Sequence, residues 1–242
     1  MADKAAIVTG GSSGIGLALA RMLGEEGYGI TLTARRPEKL QAAATELAGA
    51  GCDVQHLAGD IGSEETVASV VAIHQDKFKR LDVLVNNAGI GIGAPLQEIE
   101  TKHLDLQISV NLRSMVLLYR QCAEMLKAAG AEHRNALVVN TASIAGRSGQ
   151  GQPWLSVYSA TKHGVVGFTE AMNKELASYG VKSCALCPGF VDTAMTGFVK
   201  QRVPADEMIQ PADIAEAVRM LLRVSPACVI PEIVFQRVGA VL

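Results

Sequence analysis

The chain is poor in aromatic residues, with one Trp, four Tyr and five Phe among 242. It also has no apolar run of about 18 residues, the length that a bilayer-crossing helix needs, so no membrane span is expected. Neither sign of charge is in excess: 22 Lys and Arg stand against 24 Asp and Glu, a formal net charge of −2. With the signs mixed along the chain there is no basic stripe to engage nucleic acid or an anionic membrane. The apolar residues 5–8 are too few for a secretory leader before Gly10, Gly11, Ser12 and Ser13 interrupt them. Cysteines are sparse and odd in number, five in all, which fits reduced thiols and a cytoplasmic setting. Cys184 and Cys187 form a C-x-x-C, but three residues apart in an extended run their side chains lie on opposite faces. The five histidines form no i, i+4 pair, so no metal site is expected.

What the chain does have is 49% hydrophobic residues and 24 glycines, too apolar for disorder and too glycine-rich for a helical bundle. Short β-branched or apolar runs recur at 5–9, 29–33, 53–58, 82–86, 135–141, 181–187 and 229–235. Helical periodicity lies between them, at 15–26, 37–48, 64–78, 96–129, 155–179 and 212–222. Such alternation predicts an α/β chain with right-handed crossovers, a mostly parallel sheet of about seven strands, and helices on both faces. In the segment 96–129, Leu104, Ile108, Leu112, Met115 and Tyr119 follow three- and four-residue spacing and predict one packed face. No linker, repeat or low-complexity tract suggests a boundary, so residues 1–242 are read as a single domain. The least patterned stretch, 194–210, falls beside the carboxyl ends of the strands and is read as a substrate loop.

Thr9-Gly10-Gly11-Ser12-Ser13-Gly14-Ile15-Gly16 follows the first strand and opens the first helix. Glycines there let the main chain approach a pyrophosphate, and the helix N-terminus offers unpaired N–H groups; Ser12 and Ser13 are also suited to cap it. The end of the second strand then decides which dinucleotide is favoured. A carboxylate would pair with a ribose 2′-hydroxyl, but Arg35 and Arg36 stand there and the first acid is Glu38. Two guanidiniums suit a 2′-phosphate, which favours NADP(H) with NAD(H) as the alternative, against the plainer reading of two solvated arginines.

Tyr158 and Lys162 lie four residues apart on a helical segment and so share a face. A tyrosine titrating near 10 is a poor proton donor or acceptor at neutral pH, and a nearby ammonium lowers its pKa toward the useful range. With that pair the chain resembles the short-chain dehydrogenase/reductase family over nearly its whole length. The glycine turn matches the family's T-G-x-x-x-G-x-G; Asn86-Asn87-Ala88-Gly89 matches N-N-A-G; Asn111 its helix asparagine; Ser143 the serine before Y-x-x-x-K; and Pro188-Gly189, with Val191 and Thr193, its P-G loop.

The resemblance implies a Rossmann-like doubly wound domain that moves hydride between a nicotinamide and a carbonyl or alcohol. It implies that Tyr158 is the general acid and base, and that Lys162 lowers its pKa and binds the nicotinamide ribose. Ser143 would orient the substrate oxygen, and Asn111 would hold a water linking Lys162 to solvent. Asp60 and Ile61 would contact adenine, and Pro188, Gly189, Val191 and Thr193 the carboxamide end. Residues 146–157 are read as a pocket wall opposite 194–210. The partners implied are a small ketone, aldehyde or secondary alcohol and further copies of the chain, as a tetramer or dimer. A dinucleotide sensor without turnover is the competing reading, and the four intact catalytic positions speak against it.

Overall fold

The computed structural model describes residues 3–147, 149–201 and 203–240. Seven strands form one sheet in the order β3-β2-β1-β4-β5-β6-β7, where β1 is Lys4–Thr9, β2 Tyr28–Ala34, β3 Val54–Ala58, β4 Val83–Asn86, β5 Ala136–Thr141, β6 Val181–Pro188 and β7 Glu232–Phe235. Every pairing is parallel, so the sheet goes beyond the mostly parallel arrangement read from sequence. The last strand starts later than expected, because Pro231 has no N–H to give a ladder and its carbonyl instead accepts from Ala185.

Helices α1 (Gly14–Glu25), α2 (Pro37–Gly49) and α7 (Pro211–Arg223) supply Leu19, Leu23, Leu40, Leu47, Ile214 and Leu221 to the core on one face of the sheet. Helices α3 (Glu64–Phe78), α5 (Ser114–His133) and α6 (Ser156–Leu176) supply Val67, Leu118, Leu126 and Val165 to the core on the other. The strands feed both cores by alternation: Ala6 and Val8 face the first, Ile7 the second. Cys184 and Cys187 separate the same way, one into each core. Strand order reverses between β1 and β4, and the crevice outside their carboxyl ends is where ligands bind in open α/β sheets.

The expected helix 96–129 is not one uniform helix. A short 3-10 turn at Leu96–Glu98 precedes α4 (Thr101–Ile108), and a π-helical turn at Ser109–Arg113 joins α4 to α5. The wider turn adds a residue to the helical cycle, so a stripe read straight through it loses phase. Ile108 is 41% exposed while Gln107 is 2% exposed. Residues 194–210 hold two further 3-10 turns, Ala194–Val199 and Ala205–Glu207, and a bridge between Val191 and Ile209; residue 202 lies outside the described residues. No helix among the described residues is long and apolar enough to cross a membrane.

Candidate active site

The glycine turn after β1 is built so that backbone, not side chain, faces the crevice. Gly10 has φ +66°, and a Cβ there would come within 2.8 Å of Asn87 Nδ2. A Cβ on Gly16 would lie 2.3 Å from the Gly10 carbonyl oxygen, which forbids any side chain without moving backbone. Gly14, at φ +55°, brings α1 against Thr193, whose methyl lies 3.0 Å from the Cβ position. The turn and the P-G loop are therefore neighbours. Ser13 occupies the N-cap, yet neither Ser12 nor Ser13 caps α1: no side chain accepts from its first turn, which also carries no acidic residue. This corrects the capping role read from sequence and leaves the first amides of α1 suited to an anion.

Arg35 and Arg36 follow β2, with Arg36 at the N-cap of α2. Both are exposed, and neither is ion-paired among the described residues. Asp60 is exposed beyond β3, with its Oδ1 accepting from the Gly62 N–H at 3.0 Å, and Ile61 is buried beside it.

Thr9 fastens the floor of the crevice. Its hydroxyl donates to the Val85 carbonyl at 3.2 Å and accepts from the Asn87 and Ala88 amides at 2.9 and 3.0 Å. Asn87 returns the tie by donating to the Thr9 carbonyl. Asn86, read from sequence as a cofactor contact, has its side-chain amide donating to Asn140 Oδ1 at 2.8 Å inside the protein, while its own Oδ1 is buried without a hydrogen-bond partner among the described residues. Asn111 sits in the π-helical turn, 4% exposed. Its amide accepts from Ile90 N–H and donates to Ile90 C=O, both at 2.8 Å, and also donates to Thr161. Gln107, which no motif marked, does the same job one turn earlier by accepting from Ile92 N–H at 3.0 Å. Its signal was a polar residue four positions before Asn111, hidden by the phase change.

Lys162 is 3% exposed, and its ammonium donates to the Thr141 carbonyl at 2.7 Å. Desolvation lowers its pKa to about 8. Gly89 lies where the lysine meets the asparagine, its Cβ position 3.4 Å from Lys162 Nζ and 3.5 Å from Asn111 Oδ1. Lys162 Nζ is 5.6 Å from the centre of the Tyr158 ring. Desolvation raises the Tyr158 pKa, opposed by the Ser143 hydroxyl. Ser143 opens the turn after β5, where its Oγ accepts from Ala145 N–H at 3.2 Å and faces the Pro188 carbonyl. Gly189 continues β6 by donating to Phe235 C=O at 2.9 Å, and Val191 is buried. The two sides of the crevice thus carry a phenol, a hydroxyl beside it and a buried lysine amine.

A cavity of about 230 Å³ opens beside Val157, the residue before Tyr158. Its walls are Ile92, Gly93, Ala94, residues 98–100, His103 and Gln107 on one side and Trp154, Ser156 and Val157, next to Tyr158, on the other. The wall facing Trp154 is therefore the segment before and within α4; among the described residues, none of 194–210 lines this cavity.

The profile of the short chain dehydrogenase family matches residues 4–204. The chain belongs to that family. A Streptomyces coelicolor protein named as a ketoacyl reductase is 37% identical, covering 94% of this chain and 93% of its own length. Among solved structures, an alcohol dehydrogenase from the archaeon Thermococcus sibiricus, complexed with 5-hydroxy-NADP, superposes with a TM-score of 0.87. It shares 30% identity over 99% of this chain and 98% of its own. A 3-ketoacyl-(acyl-carrier-protein) reductase from Brucella melitensis, complexed with NADH, superposes with a TM-score of 0.86 at 29% identity, covering 96% of both chains. This short-chain dehydrogenase is thus an oxidoreductase with a Rossmann-like fold, akin to enzymes that hold NADP and NADH.

Proposed function

We propose that this short-chain dehydrogenase interconverts a small ketone or aldehyde and its alcohol using NADP(H). The convergence of Ser143, Tyr158 and the buried ammonium of Lys162 carries the reading.

The residues present fit a dinucleotide. Gly10 and Gly16 form a cradle that a Cβ would fill, and the first turn of α1 has no side-chain cap. Ser12, Ser13, Gly14 and Ile15 would hold the pyrophosphate through backbone and hydroxyl groups, and Arg35 and Arg36 the 2′-phosphate. Asp60 and Ile61 would meet the adenine, with Asn87, Ala88 and Gly89 below. Pro188, Gly189, Val191 and Thr193 would hold the nicotinamide end. When bound, the dinucleotide supplies or accepts the hydride.

The chain's own part is proton and orientation. Ser143 Oγ donates to the substrate oxygen, where negative charge grows during reduction. Tyr158 gives that oxygen its proton, or takes it back in oxidation. The Lys162 ammonium favours the phenolate left behind. Asn111 holds the loop after β4 against Thr161 and α6, fixing the depth of the lysine below Gly89.

The test is turnover of a panel of ketones and aldehydes with NADPH and NADH, in the parent and in Tyr158→Phe. The variant should bind cofactor as the parent does and lose the chemical step; residual turnover above about one per cent contradicts the role of Tyr158. Cofactor binding without turnover of any member would instead support the sensor reading.

A further inference from the structure

The catalytic residues do not account for the wall of the adjoining cavity. Its most prominent member is Trp154, the sole tryptophan in the chain. It is 70% exposed, so burial does not explain it. Its φ of +64° lies in the left-handed region, which costs a bulky residue about 1–2 kcal/mol. Its carbonyl accepts from Ala94 N–H at 2.9 Å, a bond that glycine would make equally well. Neither core packing nor the backbone calls for an indole here.

The rest of the wall has a sign. Its ionisable members among the described residues are Glu98, Glu100 and His103, with no lysine or arginine among them. Glu100 is paired with Lys102 at 2.7 Å and lies 3.5 Å from His103. Glu98 has no ion pair among the described residues. A substituent entering this space meets a wall that carries Trp154 and whose described carboxylates are Glu98 and Glu100, which an aryl group tolerates and a carboxylate does not.

We infer that Trp154 is a specificity-determining residue, and that the cavity takes a flat aryl substituent of the reacting carbonyl bearing no negative charge. The inference rests on the proposed carbonyl chemistry at Tyr158: Val157, next to it in sequence, lines the cavity, and Gly91, next to the lining residue Ile92, has its Cβ position 3.5 Å from the Tyr158 ring. Acyl chains carried on anionic thioesters are disfavoured on this wall.

The experiment compares kcat/KM for acetophenone, cyclohexyl methyl ketone and 4-acetylbenzoate, with NADPH, in the parent and in Trp154→Gly, Trp154→Phe and Glu98→Gln. The parent should prefer acetophenone. Trp154→Gly should lower its kcat/KM about tenfold and leave the cyclohexyl ketone within about twofold, with Trp154→Phe between them. Glycine accepts this φ freely, so Tm should hold or rise. Glu98→Gln should improve 4-acetylbenzoate relative to acetophenone about fivefold.

A second readout does not depend on turnover. In Tyr158→Phe with NADP⁺, the emission of the single tryptophan should respond saturably to 1-phenylethanol and not to 1-cyclohexylethanol. If no ketone is turned over but this response is present, the cavity inference stands and the catalytic reading falls. If ketones are turned over and Trp154→Gly changes all of them equally, changes none, or alters only the oligomeric state, the inference falls and the catalytic reading stands.

Discussion

Replacing Lys162 with methionine should make the protein inactive and, near neutral pH, no less stable. The lysine is 3% exposed and its pKa is lowered to about 8 from 10.5. Between those two values the unfolded chain holds a proton that the folded chain has lost, so the stability of the parent rises with pH across that window. The difference of two and a half units corresponds to about 3 kcal/mol, present as a penalty below the folded pKa and relieved above the unfolded one. Methionine removes the penalty but orphans the Thr141 carbonyl that now accepts from Nζ at 2.7 Å, a loss of about 1–3 kcal/mol. Near pH 7 the two roughly offset, and at high pH only the loss remains. Urea unfolding of parent and variant at several pH values isolates the effect, because the other alkaline titrations are common to both and cancel in the difference. The advantage of Lys162→Met over the parent should shrink by about 3 kcal/mol as pH rises from 8 to 10.5. A difference that stays constant across this range would refute the claim that Lys162 is held charged against its desolvation.

Two further outcomes are expected. Arg35→Asp should shift the ratio of kcat/KM for NADPH over NADH toward NADH by about tenfold or more, since it puts a carboxylate where two unpaired guanidiniums stand; a parent that already uses NADH equally well removes the basis for that expectation. His74, fully buried, accepts from the Thr31 hydroxyl at Nδ1 and donates from Nε2 to the Arg80 carbonyl, and burial lowers its pKa to about 4. The unfolded chain takes up that proton first as pH falls, so about 3 kcal/mol of stability should disappear between pH 6.5 and 4. His74→Gln should show a flatter acid limb in urea unfolding, and an unchanged limb would show that the ring titrates as it does in water.

Much of the site was legible because its parts are local. The glycine turn announces itself within eight residues, and the conformations that demand glycine at Gly10 and Gly14 are properties of that turn alone. Tyr158 and Lys162 are four apart on one helix, so their shared face follows from geometry. Strand and helix order followed from alternation, and so did the separation of Cys184 from Cys187. What escaped depends on partners far away in sequence. The cavity wall requires residues 92–107 to meet Trp154 across about fifty positions, and nothing in either segment names the other. Gln107 and the π-helical turn escaped for a related reason: the turn forms where Asn111 reaches Ile90 and Thr161, a tertiary bond that no helical period encodes. The uncapped N-terminus of α1 shows the opposite failure, since Ser13 is a good capping residue that makes no cap.

The π-helical turn also divides labour along one continuous rod. Downstream of it, α5 puts Leu117, Leu118, Cys122 and Leu126 into the core and cannot be altered cheaply. Upstream, α4 has Gln107 as its one fully buried residue while lining the cavity with His103. The floor of the crevice, held by Asn111 at the seam, is thereby insulated from change on the upstream side. On the proposed reading, a change at His103, the one residue between Thr101 and Leu106 that lines the cavity, recuts its wall while leaving the proton-transfer groups in place, an arrangement that lets one chemistry be inherited and its clientele renegotiated.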